Sequence, residues 1–362
     1  MPVAFAFALV LLAVLICAAL VGPAALAAVR PQLSARPRVS IVLVAASGAA
    51  WGLALIAVGP ALSWAVTGPH LLQGTAGAVC QQCLVATNPF SSHPLPVGVP
   101  SAVLIGASAL IIAVIAAAVL WEFLVRGPKL CRAVRADLRP IASIAGEPVR
   151  IDEDRSAFAY ALPLRCGGIV VSRGAVELLD EEELRAVVAH EAIHVTKRHH
   201  LIAALTMGMA APLRWIPFIA ACERTILDLL EIDADAGASR TAGTNALVSA
   251  LVKLQAAEAP RTASAPRAPE PPQAPAVPAR SVATRTSGAL LVLGARRTEP
   301  AEAGSRAMGG PSARVASLVG RRQRPRRWPT AGLAALIAPV SAAGVGVHLA
   351  GAVALLSGCA VV

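Results

Sequence analysis

Residues 187–200 read VVAHEAIHVTKRHH, and within them His190, Glu191 and His194 form an HExxH pattern. On an α-helix, positions i and i+4 lie one above the other, so two imidazoles at that spacing can share one zinc ion. A carboxylate beside the first of them can take the proton of an attacking water while the metal polarises a carbonyl. The chemistry on offer is hydrolysis. The expected complement is one Zn2+ per chain, with His190 and His194 as metal ligands and Glu191 as the general base.

Zinc needs a third protein ligand, and the sequence offers two candidates. His200 stands ten residues after His190, the spacing of the metzincins, but those enzymes break the helix with a glycine where this chain has Lys197. Without that break His200 stays on the continuing helix, out of reach. The other candidate is Glu231, in LLEIDADAGASR. Helical spacing puts Asp228, Glu231 and Asp235 on one stripe, so one carboxylate could bind zinc and Asp235 could orient a histidine from behind. Spacing leaves a solvated acidic face as an equal alternative.

A site of this kind must sit on a well-anchored helix. LLDEEELRAVVAHEAIHVTKRHH predicts one, uninterrupted to His200, with Asp180 as N-cap, Glu183 completing a capping box and an acidic first turn that suits the helix dipole. Leu184, Val187, Glu191 and His194 fall on its inward stripe. Upstream, residues 150–172 contain short β-prone runs ending in GGIVVS, which predict a small sheet with GGIVVS as an exposed edge strand able to add an extended peptide.

Most of the remaining chain is apolar. The 362 residues are 56% hydrophobic and 15% charged, and a mean hydropathy of +0.66 excludes an ordinary soluble domain. Stretches 3–29, 39–67, 101–125 and 330–356 are long enough to cross a bilayer. The first is read as an uncleaved span, because no Lys or Arg precedes it. A fifth apolar stretch, 201–222, is interrupted by Pro212, Arg214 and Pro217 and must turn back if Glu231 is to meet His190.

Arg30, Arg36 and Arg38 place the first connection in the cytoplasm, and Arg126, Lys129, Arg132 and Arg135 do the same for the region after the third span. The expected domains are three transmembrane helices in 1–125 with an uncharged external loop at 68–100, a cytoplasmic domain at 126–258, a Pro/Ala/Arg-rich tether at 259–328 and a final transmembrane helix at 329–358. In the external loop, Cys80 and Cys83 are the one close cysteine pair, readable as a disulfide, a sensor or two unpaired residues, and the five other cysteines suggest no framework. The net charge of +11 sits beside the spans, as in RRQRPRR at 321–327, which suits an anionic lipid leaflet; aromatic residues are too sparse for base stacking, so no nucleic-acid binding is expected.

AVVAHEAIHVTKRH followed by EIDAD resembles the HExxH then ExxAD pattern of integral-membrane gluzincins, the M56 and M48 metallopeptidases, and the segment from AFAYALP through GGIVVSRGAVELLDEEELRAVVAHE resembles theirs before the active-site helix. The resemblance covers about residues 150–240. It implies a mainly α integral membrane protein, about four transmembrane helices with a cytoplasmic α+β zincin domain carrying a small sheet. It also implies Glu231 as third zinc ligand and Asp235 as the aspartate behind a histidine. The layout is most similar to M56, whose best-known members sense β-lactams and trigger cleavage of a cytoplasmic repressor. Only SGCAVV follows the last span, and no Ser stands three residues before Lys129, Lys197 or Lys253, so covalent β-lactam capture is not expected. The leading expectation is a zinc endopeptidase cutting a protein or peptide substrate, such as a repressor, in regulated proteolysis. The alternatives are M48-type quality control of membrane proteins, or a non-catalytic receptor or scaffold with a degenerate peptidase domain.

Overall fold

A computed structural model of the protein describes residues 3–67, 101–135 and 141–258. The external loop with Cys80 and Cys83, the tether and the final apolar span lie outside the described residues. The described residues divide into two compact units: those up to 122 with 205–229, and 123–204 with 230–258.

The first unit holds α1 (Val3–Ala28), α2 (Arg30–Ala35), α3 (Pro37–Thr67) and α4 (Ser101–Trp121). Runs of Ala, Leu, Val and Ile, apolar on all sides, form these long helices, and a helix satisfies every backbone polar group internally, as hydrocarbon requires. Among the described residues, three stretches are long and apolar enough to cross a membrane: Leu9–Ala28, Pro37–Gly59 and Gly106–Lys129. Two polar clips join their helices: Trp51 Nε1 donates to the Leu15 carbonyl at 3.1 Å and Ser108 Oγ to that of Ile56 at 2.9 Å.

After a π-helical turn, Glu122–Arg126, comes α5 (Gly127–Arg135). The second unit then builds a four-stranded sheet from β1 (Ile141–Ile144), β2 (Glu147–Asp152), β3 (Ala159–Ala161) and β4 (Ile169–Ser172), in the order β1-β2-β4-β3. β1 and β2 form a hairpin whose two turn residues, Ala145 and Gly146, have φ of 54° and 82°, the turn whose twist matches that of paired strands. β4 runs parallel to β2 and antiparallel to β3. GGIVVS is therefore not the edge strand: its four β-residues are buried between two neighbours, and the edges are β1 and β3. A fully apolar IVV run suits such a central strand better than an edge.

From β4 the chain enters α6 (Arg173–Leu178), capped by Ser172, whose Oγ accepts from the Ala175 and Phe158 amides. Gly174 is required here, since a Cβ would lie 2.0 Å from the Arg155 carbonyl oxygen. Next come α7 (Glu181–Thr196), α8 (His199–Ala210), a 3-10 turn at Ala211–Leu213, α9 (Pro217–Thr241) and α10 (Thr244–Glu258). One sheet face, with Val149, Ile169 and Val171, packs on Val187 and Val188 of α7 and Ala250 and Leu254 of α10. The opposite face, with Tyr160 and Val170, gathers Phe158, Leu162, Cys166 and, from α5, Cys131. Cys131 and Cys166 are disulfide-bonded, so the expectation that the cysteines outside the loop form no framework is corrected. Their separation of 35 residues hid the pair.

The predicted N-terminus of α7 is present in full: the Asp180 side chain accepts from the Glu183 amide at 2.9 Å and the Glu183 side chain accepts from the Asp180 amide at 2.9 Å. Glu183 also receives Ser249 Oγ and Lys253 Nζ from α10, each at 2.6 Å, which fastens α7 to α10. Burial would raise the Glu183 carboxyl, but hydrogen bonds from Lys253, Ser249 and the Asp180 amide outweigh it and hold the group at about 2. A folded pKa below the unfolded one means the ionised carboxylate stabilises the fold above about pH 4.5 and loses that contribution as pH falls towards 2. Melting curves should therefore show wild type more stable than Glu183→Gln at pH 6–7, and the gap closing between about pH 4.5 and about 2.

The predicted helix through His200 does not run on. It stops at Thr196; Lys197 caps it, Arg198 takes a left-handed φ of 54°, and α8 begins at His199. A non-glycine residue in that conformation costs about 1–2 kcal/mol and has no sequence signature, so the break was not legible. The apolar stretch 201–222 is likewise not one span. It falls in α8, the 3-10 turn and the start of α9, and Arg214, its awkward charge, makes a two-pronged ion pair with Glu223. Within the first unit the bend packs closely: Gly208 lies against Val119, Gly22 against Phe218 and Gly48 against Cys222.

Candidate metal centre

Helix segments of the second unit supply the site. α7 presents His190, Glu191 and His194, all buried, and α9 presents Glu231, Asp233 and Asp235. The helices approach so closely at Gly237 that a Cβ there would meet Ile193 Cδ1 at 2.2 Å, and Ala186 and Ala238 join Leu247 in a small-residue contact nearby.

His190, His194 and Glu231 each place one ligand atom within 4.8 Å of the others. His190 Nε2 is 3.1 Å from His194 Nε2 and 3.5 Å from Glu231 Oε2, and His194 Nε2 is 3.6 Å from Glu231 Oε1. Ligand atoms about 2.0–2.2 Å from a tetrahedral zinc stand about 3.3–3.6 Å apart, so this triangle matches three corners of that polyhedron. Two imidazole nitrogens facing each other at 3.1 Å also need a cation or proton between them. Four carboxylates, Glu191, Glu231, Asp233 and Asp235, crowd this region beside the ammonium of Lys197, and a dication would offset part of their charge. The donor set and its geometry fit zinc.

Asp235 Oδ1 lies 3.0 Å from His190 Nδ1, at ion-pairing distance. It therefore stands behind the ring nitrogen that points away from the triangle. His200 is not part of the group, although the helix break it would need does occur. Sequence reasoning missed three neighbours. His199 is almost fully buried, with Nδ1 3.1 Å from His194 Nδ1 and Nε2 3.5 Å from Asp233 Oδ2. Lys197 pairs with that same Asp233 oxygen. Burial, which outweighs the nearby Asp233 charge and is reinforced by Lys197, pushes the His199 ring down to about 4, so it is neutral at pH 7. The assumption of a continuous helix concealed His199, and Asp233 lies off the Glu231–Asp235 stripe.

Residues 136–252 match the model of Peptidase family M48. A "Protease HtpX homolog" of Methanothermobacter thermautotrophicus is 43% identical over 58 residues, 16% of this chain and 22% of that protein. A second, of Aquifex aeolicus, is 34% identical over 64 residues, 18% of this chain and 21% of that protein. The matched segment spans about a fifth of the length of these curated relatives. No solved structure gives a significant match. Residues 136–252 are thus similar to the M48 peptidase domain, and the described residues include three helices long and apolar enough to cross a bilayer.

Proposed function

We propose that this chain is a zinc-dependent membrane endopeptidase in which His190, His194 and Glu231 hold the metal, Glu191 is the general base and Asp235 orients His190. The observation that carries this reading is the convergence of the three ligand atoms from α7 and α9 within 4.8 Å. Bound zinc would lower the pKa of a water and polarise the scissile carbonyl. Glu191 takes the proton of the attacking water and returns it to the leaving amine. Asp235 favours a proton on His190 Nδ1, which leaves the Nε2 lone pair for the metal. β3, the edge strand that packs on α7, offers backbone groups to an extended substrate.

The Arg and Lys pattern supports a multi-pass protein with residues 126–258 as a cytoplasmic catalytic domain, between three spans and a tether leading to a fourth. The Cys131–Cys166 bond weighs against that side, because cytosolic proteins seldom keep disulfides. Turnover of damaged membrane proteins is the substrate reading that the M48 match and the HtpX relatives favour. Cleavage of one cytoplasmic repressor, in the manner of M56, rests on layout alone.

Metal removal tests the proposal. Protein purified in mild detergent should cleave a loosely folded substrate such as casein, lose that activity on treatment with 1,10-phenanthroline, and regain it with about one equivalent of zinc. Cleavage that survives complete metal removal would rule out the zinc reading. Comparing membrane proteomes of cells with and without the active protein then separates many stabilised membrane proteins from a single stabilised repressor.

A further inference from the structure

We propose that His199 is a positioning residue that fixes the tautomer and orientation of His194, backed by Asp233 and Lys197; the inference rests on the zinc reading above. In a continuous α-helix, residue i+5 lies about 140° around the axis from residue i, so His199 would face away from His194. The cap at Lys197 and the left-handed Arg198 reverse the chain. The His199 ring is instead set edge-on to that of His194, with centroids 4.8 Å apart and planes at 88°.

The polarity of the contact follows atom by atom. His194 turns Nε2 towards His190 and Glu231, so as a ligand it must carry its proton on Nδ1. That proton points at His199 Nδ1, 3.1 Å away, which accepts it only if the His199 proton sits on Nε2. His199 Nε2 in turn lies 3.5 Å from Asp233 Oδ2, the oxygen that Lys197 Nζ also holds. The two histidine ligands are thereby oriented by different chemistry. His190 has a carboxylate directly behind it, whereas His194 has a neutral imidazole backed by a carboxylate already paired with an ammonium. The second arrangement fixes the proton without adding another uncompensated anion beside the metal.

The test is zinc affinity of the full chain in mild detergent, measured by competition with a chromophoric chelator, so that catalysis is not the readout. His199→Leu fills the space but accepts no proton and should weaken zinc binding about 10–100-fold. His199→Asn places an amide oxygen near the position of Nδ1 and should recover affinity to within roughly threefold of wild type. Leucine binding zinc as well as wild type would overturn the inference. So would asparagine being as weak as leucine, since that marks a packing role. If His199→Leu shows no cooperative melting, Asp233→Asn decides: weaker zinc binding upholds the chain of contacts, and unchanged binding breaks it. Absence of zinc from wild type itself would instead refute the metal-site reading, a different result from any of these.

Discussion

Glu191→Gln is expected to keep about one zinc per chain and to lower peptide-bond hydrolysis by about 10²–10⁴-fold, the usual contribution of a general base. The substitution keeps side-chain volume and changes one oxygen to an amide that cannot take a proton. Glu191 is buried beside the two histidines on α7, and replacing it with an amide relieves rather than worsens the carboxylate crowding. The folded state and the ligand triangle should survive. The assay has two arms: metal content by plasma mass spectrometry and single-turnover cleavage of a fluorogenic substrate. Full activity in the glutamine variant would remove Glu191 from the mechanism, and loss of zinc would mean that it is a ligand rather than a base. The same variant should also retain uncut protein when purified from cells, which offers a route to the physiological substrate.

Glu231→Ala carries the second large effect: zinc content falling from about one per chain to background, with hydrolysis lost in step, while His200→Ala leaves both unchanged. Glu231 reaches both Nε2 atoms, at 3.5 Å and 3.6 Å, whereas His200 stands outside the group of candidate ligands among the described residues. The two variants discriminate between the two third-ligand candidates that the sequence presents. Retention of zinc by Glu231→Ala together with its loss in His200→Ala would reverse the ligand assignment and require the chain after Arg198 to fold differently. The melting temperature of Glu231→Ala without metal should not fall below that of metal-free wild type, because deleting one member of a crowded set of carboxylates removes repulsion.

Several elements of the fold were legible because the forces that form them are local in sequence. The apolar runs that became α1, α3 and α4 announce themselves by length and composition, since hydrocarbon admits only helices there. The capping box of Asp180 and Glu183 is a four-residue pattern and appeared as read, although its further bonds to Ser249 and Lys253 join residues 66 and 70 positions away and could not be read. The pairing of His190 with His194 needed only the pitch of a helix.

What the tertiary structure decided are the relations between distant segments. Strand order is one: β4 reads as a strand, but only pairing shows that β2 and β3 enclose it. The Cys131–Cys166 bond is another. Meeting of His194 with Glu231 required the apolar stretch between them to bend back, and the bend depends on the Arg214–Glu223 pair and on the close contacts at Gly22, Gly48 and Gly208. The break at Lys197–Arg198 is the sharpest case. A lysine and an arginine favour helix, so local propensity argued for continuation, and contacts of Lys197 and His199 with Asp233, 36 and 34 residues further on, won instead. Composition and periodicity report what each segment gains from its immediate neighbours. The centre itself depends on which segments meet, and that is settled by long-range burial and ion pairing that no short window of residues contains.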